Sequence, residues 1–521
     1  MAFLLNWWAP AKVAPPRVPT DTIIPLNEQD DNRANRNVCL EFTMHFHDIL
    51  DENKLADALW KLIDRPGWRK IGARLRLNDK GKLEYHVPAQ FTKERPPINY
   101  SYKSYDIPVG EHPIGRKFPK PDGTLQIFPS TEDFSKLTAP ENNTNFIDDW
   151  IYTDKAQLGL HVIHFNDATL VTLTWLHTLL DAMGRHALLK AWIAVLEGRE
   201  HDVPEFWGYD TNAFERLGEP VSAAATDAAA VEEFVLKDKI MSRWTMLKFI
   251  FNMVWEIFFY PNEAGRLICV PASYFARIKT QAHADLASVD PALLTMSTAD
   301  AKNPTPFLSD GDVLCAWFMR LLVTANPMLL ASKPSRNVLV FNVFGMRDVL
   351  RSTSPQLIPK GAAYISNCVS AIFSLFTQGE LLSLPIGHVA ARIRKDLTLQ
   401  STRAQVEASQ RLRRENGGEA VLYGESDAVI QVFTNWLKAK LFQMDFSAAI
   451  VKEARVGGEE AKGYVRGQPA YLHVNSASSK SFPLRGSGSC MGQDHQGNFW
   501  IGTKMRKEFE EDFVRAVIAA R

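Results

Sequence analysis

Residues 169–184 place the tightest local constraint on this chain. From Thr169 to Leu176 threonines alternate with large apolar residues, the pattern of a half-buried strand. Beyond them Met183, Ala187, Leu188, Ala191, Trp192, Val195 and Leu196 recur at helical spacing. His177 therefore stands where a strand ends and a turn begins, with Asp181 four residues on. An imidazole at the end of a rigid strand has a fixed orientation and can take and return a proton near neutrality. The spacing alone does not single it out, because His47 and Asp51 repeat it. Asp51 opens a charged helix, Asp51-Glu52-Asn53-Lys54, and reads as its N-cap. Asp181 instead lies among apolar residues, where a carboxylate requires a cation or several donors.

The 521 residues suffice for two ordinary domains, and 46% apolar with 23% charged residues is a globular composition. Lys plus Arg equals Asp plus Glu at 59 each, so no basic excess points to nucleic acid. Cys39, Cys269, Cys315, Cys368 and Cys490 are odd in number and lack Cys-x-x-Cys spacing, which argues against a disulfide framework or structural zinc and for a reducing, cytoplasmic setting. The opening, Met1-Ala2-Phe3-Leu4-Leu5, has no basic n-region, so no targeting peptide is expected.

Along the chain, residues 10–30 read as a proline-rich arm, followed by a strand over 38–46, a helix over 54–63 and a hairpin over 72–77 and 83–87. Residues 100–143 read as a long surface excursion and 158–165 with 169–176 as a second hairpin turning at Asn166-Asp167. Residues 199–240 are polar and alanine-rich and hold the expected domain boundary. Residues 244–260, opening on Trp244 and ending on Tyr260, are the most apolar segment. Thr245, Lys248, Asn252 and Glu256 line one narrow face there, and two readings stand: a helix buried on most of its surface, or an interfacial helix on a membrane. The second half continues with a strand over 266–271, a helix capped by Ser309 and Asp312, strands over 337–343 and 364–373, one long helix over 387–415, and a final strand and helix.

Gly488-Ser489-Cys490-Met491-Gly492 has the spacing of a nucleophile elbow but leads into a turn rather than a helix, so it reads as a glycine-rich segment with a buried thiol. No phosphate-binding glycine loop and no metal-ligand spacing is present in the sequence. What remains is His177 with a late pair of segments, Phe433-Thr434-Asn435-Trp436 and Asp445-Phe446-Ser447-Ala448-Ala449. Together these resemble the BAHD acyltransferase family, in its fungal type. That family carries His-x-x-x-Asp-Gly near mid-chain and Asp-Phe-Gly-Trp-Gly near the end. Here Ala182 replaces the first motif's glycine, with Gly184 two residues later, and Ser447, Ala448 and Ala449 replace Gly-Trp-Gly. Further similarities run in order along the chain: residues 24–30, Gly72-Ala73-Arg74-Leu75-Arg76, residues 309–320, Asn342 to Arg347, and Tyr364-Ile365-Ser366-Asn367-Cys368. Leu176 stands where related condensation domains carry a first histidine, which favours a free-standing enzyme.

The resemblance implies an α/β, chloramphenicol acetyltransferase-like fold: two similar domains of mixed β-sheet with flanking helices and an active-site channel between them. The expected division is 1–222, a crossover with the apolar helix at 223–265, and 266–521. It implies an acyl-CoA-dependent acyltransferase, an O-acetyltransferase by default, acting on a hydroxyl or amine of a hydrophobic small molecule of specialised metabolism. His177 is the implied general base, working in a ternary complex without an acyl-enzyme. Asp181, Gly184, Arg347, Asp445 and Phe446 are the implied structural positions, with Arg347 as partner of Asp181. Trp436, Asn367 and Thr434 are candidates for the channel or for the oxyanion. No bound cofactor or metal is expected, acyl-CoA is a co-substrate, and the chain is expected to be a cytoplasmic monomer. A non-catalytic protein of the same fold, binding a metabolite or partner, is the alternative.

Overall fold

The computed structural model describes residues 12–141, 143–219, 232–297, 302–418, 421–455, 457, 462–478 and 485–521. Two large mixed sheets carry the architecture. In the first, the strands run in the order Tyr471–Ser478, Val38–Phe46, Thr169–Leu176, Leu158–His164 and Asn99–Ser104. Every pairing in it is antiparallel except the last, which is parallel. The second has seven strands, Val369–Thr377, Asn337–Gly345, Val429–Asn435, Ser487–Gln493, Phe499–Arg506, Glu263–Val270 and Gln126–Phe128. This is the expected class, mixed α/β with flanking helices.

The two halves exchange strands. Tyr471–Ser478 lies at the edge of the first sheet and Gln126–Phe128 at the edge of the second. Division at 222 and 266 therefore leaves one strand of each half in the other half's sheet. Residues 222 and 223, with Ala223-Ala224-Ala225 and Ala228-Ala229-Ala230, lie outside the described residues.

Strand Thr169–Leu176 is buried at every position rather than on one face. Two of its three threonines find side-chain partners inside the protein: the Thr172 and Thr43 hydroxyls lie 2.9 Å apart, and Thr169 Oγ1 accepts from the Leu50 amide at 3.0 Å. Burial of a hydroxyl is tolerated when its hydrogen bond is made. The helix that follows, Ala182–Leu196, packs on Glu52–Ile63, with Trp192 Nε1 donating to the Leu55 carbonyl at 3.0 Å.

Several expectations differ in detail. The excursion over 100–143 contains two strands, Asn99–Ser104 and Gln126–Phe128, each completing a sheet edge. The long helix breaks into Ile386–Gln400 and Arg403–Glu415, because Thr402 caps a new helix by accepting from the Gln405 amide. The strand expected over 364–373 begins only at Val369. Cys490 sits on strand Ser487–Gln493, all five cysteines are free and buried, and burial pushes the Cys490 thiol up to about 12. The apolar segment forms helix Arg243–Phe259, but Phe249 is its one buried residue, so the reading of a helix buried on most of its surface is overturned. Among the described residues no helix is long and apolar enough to cross a membrane.

Candidate active site

The turn between strand Thr169–Leu176 and helix Ala182–Leu196 is held at both backbone groups of His177 and at several of the residues that follow. The His177 amide donates to the Val38 carbonyl at 2.8 Å and the Leu179 amide to the Leu176 carbonyl at 2.9 Å. The His177 carbonyl accepts from Asn367 Nδ2 at 2.8 Å, the Thr178 carbonyl from the Tyr85 hydroxyl at 3.0 Å, and the Leu180 carbonyl from Trp175 Nε1 at 3.2 Å. A side chain can be aimed accurately only if its backbone cannot drift, and this turn is over-determined. His177 Nδ1 is buried without a hydrogen-bond partner. Burial holds the imidazole below its usual pKa; its own carbonyl, Asp181 and Asn367 oppose that shift, while Arg185 adds to it. The ring is accordingly neutral, and able to accept a proton, at neutral pH.

Asp181 is the N-cap of the helix, accepting from the Gly184 amide at 2.8 Å. Its oxygens also accept from Arg347 Nη1 and Nη2, both at 2.8 Å, and from the Cys368 amide at 2.9 Å. Four donors fill the carboxylate, so it is engaged away from the imidazole and acts as a scaffold for the turn. Arg347 also donates from Nε to the Tyr364 carbonyl and from Nη2 to the Ser366 carbonyl, at 3.0 and 2.7 Å. Burial lowers its pKa, but the Asp181 carboxylate, together with Cys368 and Tyr364, more than offsets this and raises it. These bonds explain why residues 364–368 are not a strand: their backbone groups serve Arg347, Asp181 and Asp30 rather than a neighbouring ladder. Gly184 faces the same segment, and a Cβ there would lie 1.9 Å from the Ile365 carbonyl oxygen. Only glycine permits that approach.

Of the three oxyanion candidates, Asn367 has both amide hydrogens occupied, one on the His177 carbonyl and one on Asp30 Oδ1, each at 2.8 Å. It holds the histidine rather than offering a donor. Trp436 Nε1 donates to Thr434 Oγ1 at 3.0 Å, so its N–H is also occupied, while the Thr434 hydroxyl proton has no acceptor among the described residues. The late motif lies elsewhere. Asp445 Oδ1 accepts from the Ser447 amide at 2.8 Å, and Phe446 packs edge-on against Phe46 and Trp192. The Ala449 carbonyl accepts from the Asp51 amide at 2.7 Å, so this segment fastens the second half onto the first. Asp51 itself caps helix Glu52–Ile63.

Two residues of the site have no local signal. Asp30 accepts from the amide and the side chain of Asn367, both at 2.8 Å, and from Asn27 Nδ2 at 2.9 Å. Burial, opposed by the Lys70 charge and these bonds, pushes its carboxyl up to about 6. Arg185, one turn beyond Asp181, is buried with its guanidinium 4.1 Å from the Phe42 ring centroid and 4.6 Å from that of Trp436. Its Nε and Nη2 are buried without a hydrogen-bond partner among the described residues, and burial lowers its pKa to about 9. Two surface hollows, one lined by Asn99, His161 and Thr174 and one by Asp51, Lys54 and Leu196, do not include His177.

No family model matches the chain. A protein of Penicillium decumbens named transcriptional regulator calD is 34% identical over 500 residues, covering 95% of each chain. The acetyltransferase adrJ of Penicillium rubens is 33% identical over 498 residues, again covering 95% of each. The chain belongs to the BAHD acyltransferase family. Its fold is that of F. sporotrichioides TRI101, solved with coenzyme A and T-2, with a TM-score of 0.63 at 13% identity, covering 94% of this chain and 97% of that one. Family membership fits the geometry of the His177 turn, where the one base is neutral and the nearby acid is fully engaged.

Proposed function

We propose that this BAHD protein is an acyl-CoA-dependent O-acetyltransferase acting on a hydroxyl of a hydrophobic small molecule. The observation that carries the reading is His177 held neutral on a pinned turn, with Asp181 committed to Arg347. Neutral His177 takes the acceptor proton as the hydroxyl oxygen attacks the thioester carbon. The tetrahedral intermediate then collapses, the carbon–sulfur bond breaks, and the imidazolium returns its proton to the thiolate. Ester and free coenzyme A thiol leave, and no acyl-enzyme is needed. The Thr434 hydroxyl is the candidate donor for the oxyanion, because among the three candidates only its proton is uncommitted. The acetyl group and the coenzyme A donor are supported by adrJ, named an acetyltransferase, and by TRI101, held with coenzyme A.

The domains of this reading are 1–222 and 266–521 joined by 223–265, with a channel between them. The chain works as a monomer in the cytoplasm, and beyond its small-molecule partners it meets a lipid surface through helix Arg243–Phe259. The test is thiol release from acetyl-CoA with a panel of hydroxylated metabolites. His177→Ala is expected to lower the rate by about 10²- to 10⁴-fold; full activity in that variant would overturn the mechanism. The name of calD favours the non-catalytic reading, which gains if wild-type protein releases no thiol with any acceptor while still binding one.

A further inference from the structure

Helix Arg243–Phe259 is the most unusual surface of the molecule. Trp244, Leu247, Phe251, Val254, Trp255 and Phe258 recur at three- and four-residue spacing, so they share one face, and all are exposed, with Trp244 at 67%, Phe251 at 64% and Phe258 at 77%. The helix is nonetheless fixed in place by its other side. Phe249 is buried there with Met241 and Ala428, and Met246 and Met253 pack against them. Asn252 Nδ2 donates to the Ser426 carbonyl at 3.1 Å, and Glu256 lies 3.7 Å from Arg485. The rings of the outer face touch one another, Phe251 against Trp255 and Trp255 against Phe259, at centroid distances of 6.1 and 4.3 Å. An apolar face of this size on an otherwise well-packed protein marks an interaction surface.

We propose that this face docks the protein on a bilayer bearing anionic headgroups. At about 1.5 Å per residue the 17 residues reach roughly 25 Å. That is short of the roughly 30 Å hydrocarbon core, so the helix lies along the interface rather than across it. Aromatic rings dominate the face, and Trp in particular partitions to the headgroup boundary. Charge decides between a bilayer and a second copy of the chain. Arg243 and Lys248 are exposed beside the band, with Lys248 Nζ 5.6 Å from the Trp244 ring centroid, and the helix's one acid, Glu256, is turned to Arg485. An isologous dimer would press the same residues together and leave Lys248 facing apolar surface, because Glu256, the one carboxylate that helix has, already faces Arg485. A lipid phosphate supplies the anion, with the lysine stem lying along the apolar band.

The full chain is floated with phosphatidylcholine vesicles, with and without phosphatidylserine, alongside Trp255→Glu/Phe258→Glu and Lys248→Glu. Wild type is expected to float, more strongly with phosphatidylserine. The double variant is expected to lose at least about tenfold in bound fraction, and Lys248→Glu to lose the dependence on phosphatidylserine. Circular dichroism and acyl transfer to a water-soluble acceptor should be unchanged in both variants, which separates failure of docking from failure of the acyltransferase reading. Wild type remaining at the bottom with both vesicles, or the double variant floating as well, overturns the proposal. So does light scattering that finds a wild-type dimer which the double variant dissolves and which does not float.

Discussion

At the scale of single residues, the site depends on which polar groups are already engaged. Asp30 reaches the His177 turn through Asn367, whose amide nitrogen bridges the Asp30 carboxylate and the His177 carbonyl. The titratable groups around it are Lys70, whose charge opposes its protonation, and Tyr85 and Tyr364, whose hydroxyls burial keeps protonated and neutral. With its carboxyl near 6, Asp30 is ionised and grips Asn367 above that pH and loosens below it. Asp30→Asn is therefore expected to lower kcat with little change in KM and to make the acid limb of the rate profile shallower, leaving the limb that His177 itself imposes. An unchanged limb would show that Asp30 does not position His177. The stability effect has the opposite sign. A folded pKa raised above the unfolded value means the carboxylate destabilises the fold above about pH 6, and that penalty fades as pH falls through about 6 to 4. The difference in Tm between Asp30→Asn and wild type should shrink over that window.

At the scale of elements, the contact that matters most joins the start of helix Ala182–Leu196 to residues 364–368. Replacing Gly184 by alanine would add about 1 kcal/mol of helix propensity. The new Cβ, 1.9 Å from a backbone oxygen that belongs to a pinned segment, costs about 1–3 kcal/mol in strain. The clash wins because a carbonyl in that segment cannot rotate away as a flexible side chain could. Gly184→Ala should lower the urea midpoint and reduce kcat together, since Asn367 and the Arg347 acceptors move with Ile365. A variant of wild-type stability and rate would show that the helix start can slide. The same logic explains the altered late motif. Ser447, Ala448 and Ala449 form a short 3-10 turn whose fastening to Asp51 uses backbone atoms, so the loss of Gly-Trp-Gly leaves that join intact.

At the scale of the whole molecule, the exchanged strands tie the halves into one folding unit. Residues 1–265 expressed alone would lack Tyr471–Ser478, baring the edge of Val38–Phe46 along its length, and would lose Leu472, Phe446 and Met491 from the first core. An exposed, apolar strand edge associates. The fragment is expected to elute as an aggregate and melt without a cooperative transition. A monomeric fragment with a sharp melt would establish that the first half folds independently.

What could be read from the sequence and what could not divide along a physical line. The strand, turn and helix around His177, the Asp51 cap and the Ser309–Asp312 capping box rest on periodicity and on side chains bonding to backbone three residues away, so a short window contains their cause. The resemblance of the two motifs named the family and pointed to Arg347 as the cation for Asp181. No local pattern announces the pairs across 166 to 337 residues that complete the site: Arg347 with Asp181, Asn367 with His177, and Asp30 with Asn367. Spacing also cannot tell whether an apolar helix face is covered, because both a buried and an exposed helix can be greasy all round. Sequence by itself determined that His177 ends a strand and begins a turn. Tertiary structure decided which groups pin that turn and that helix Arg243–Phe259 turns its widest apolar face outward, since both depend on what other segments bring to the same place.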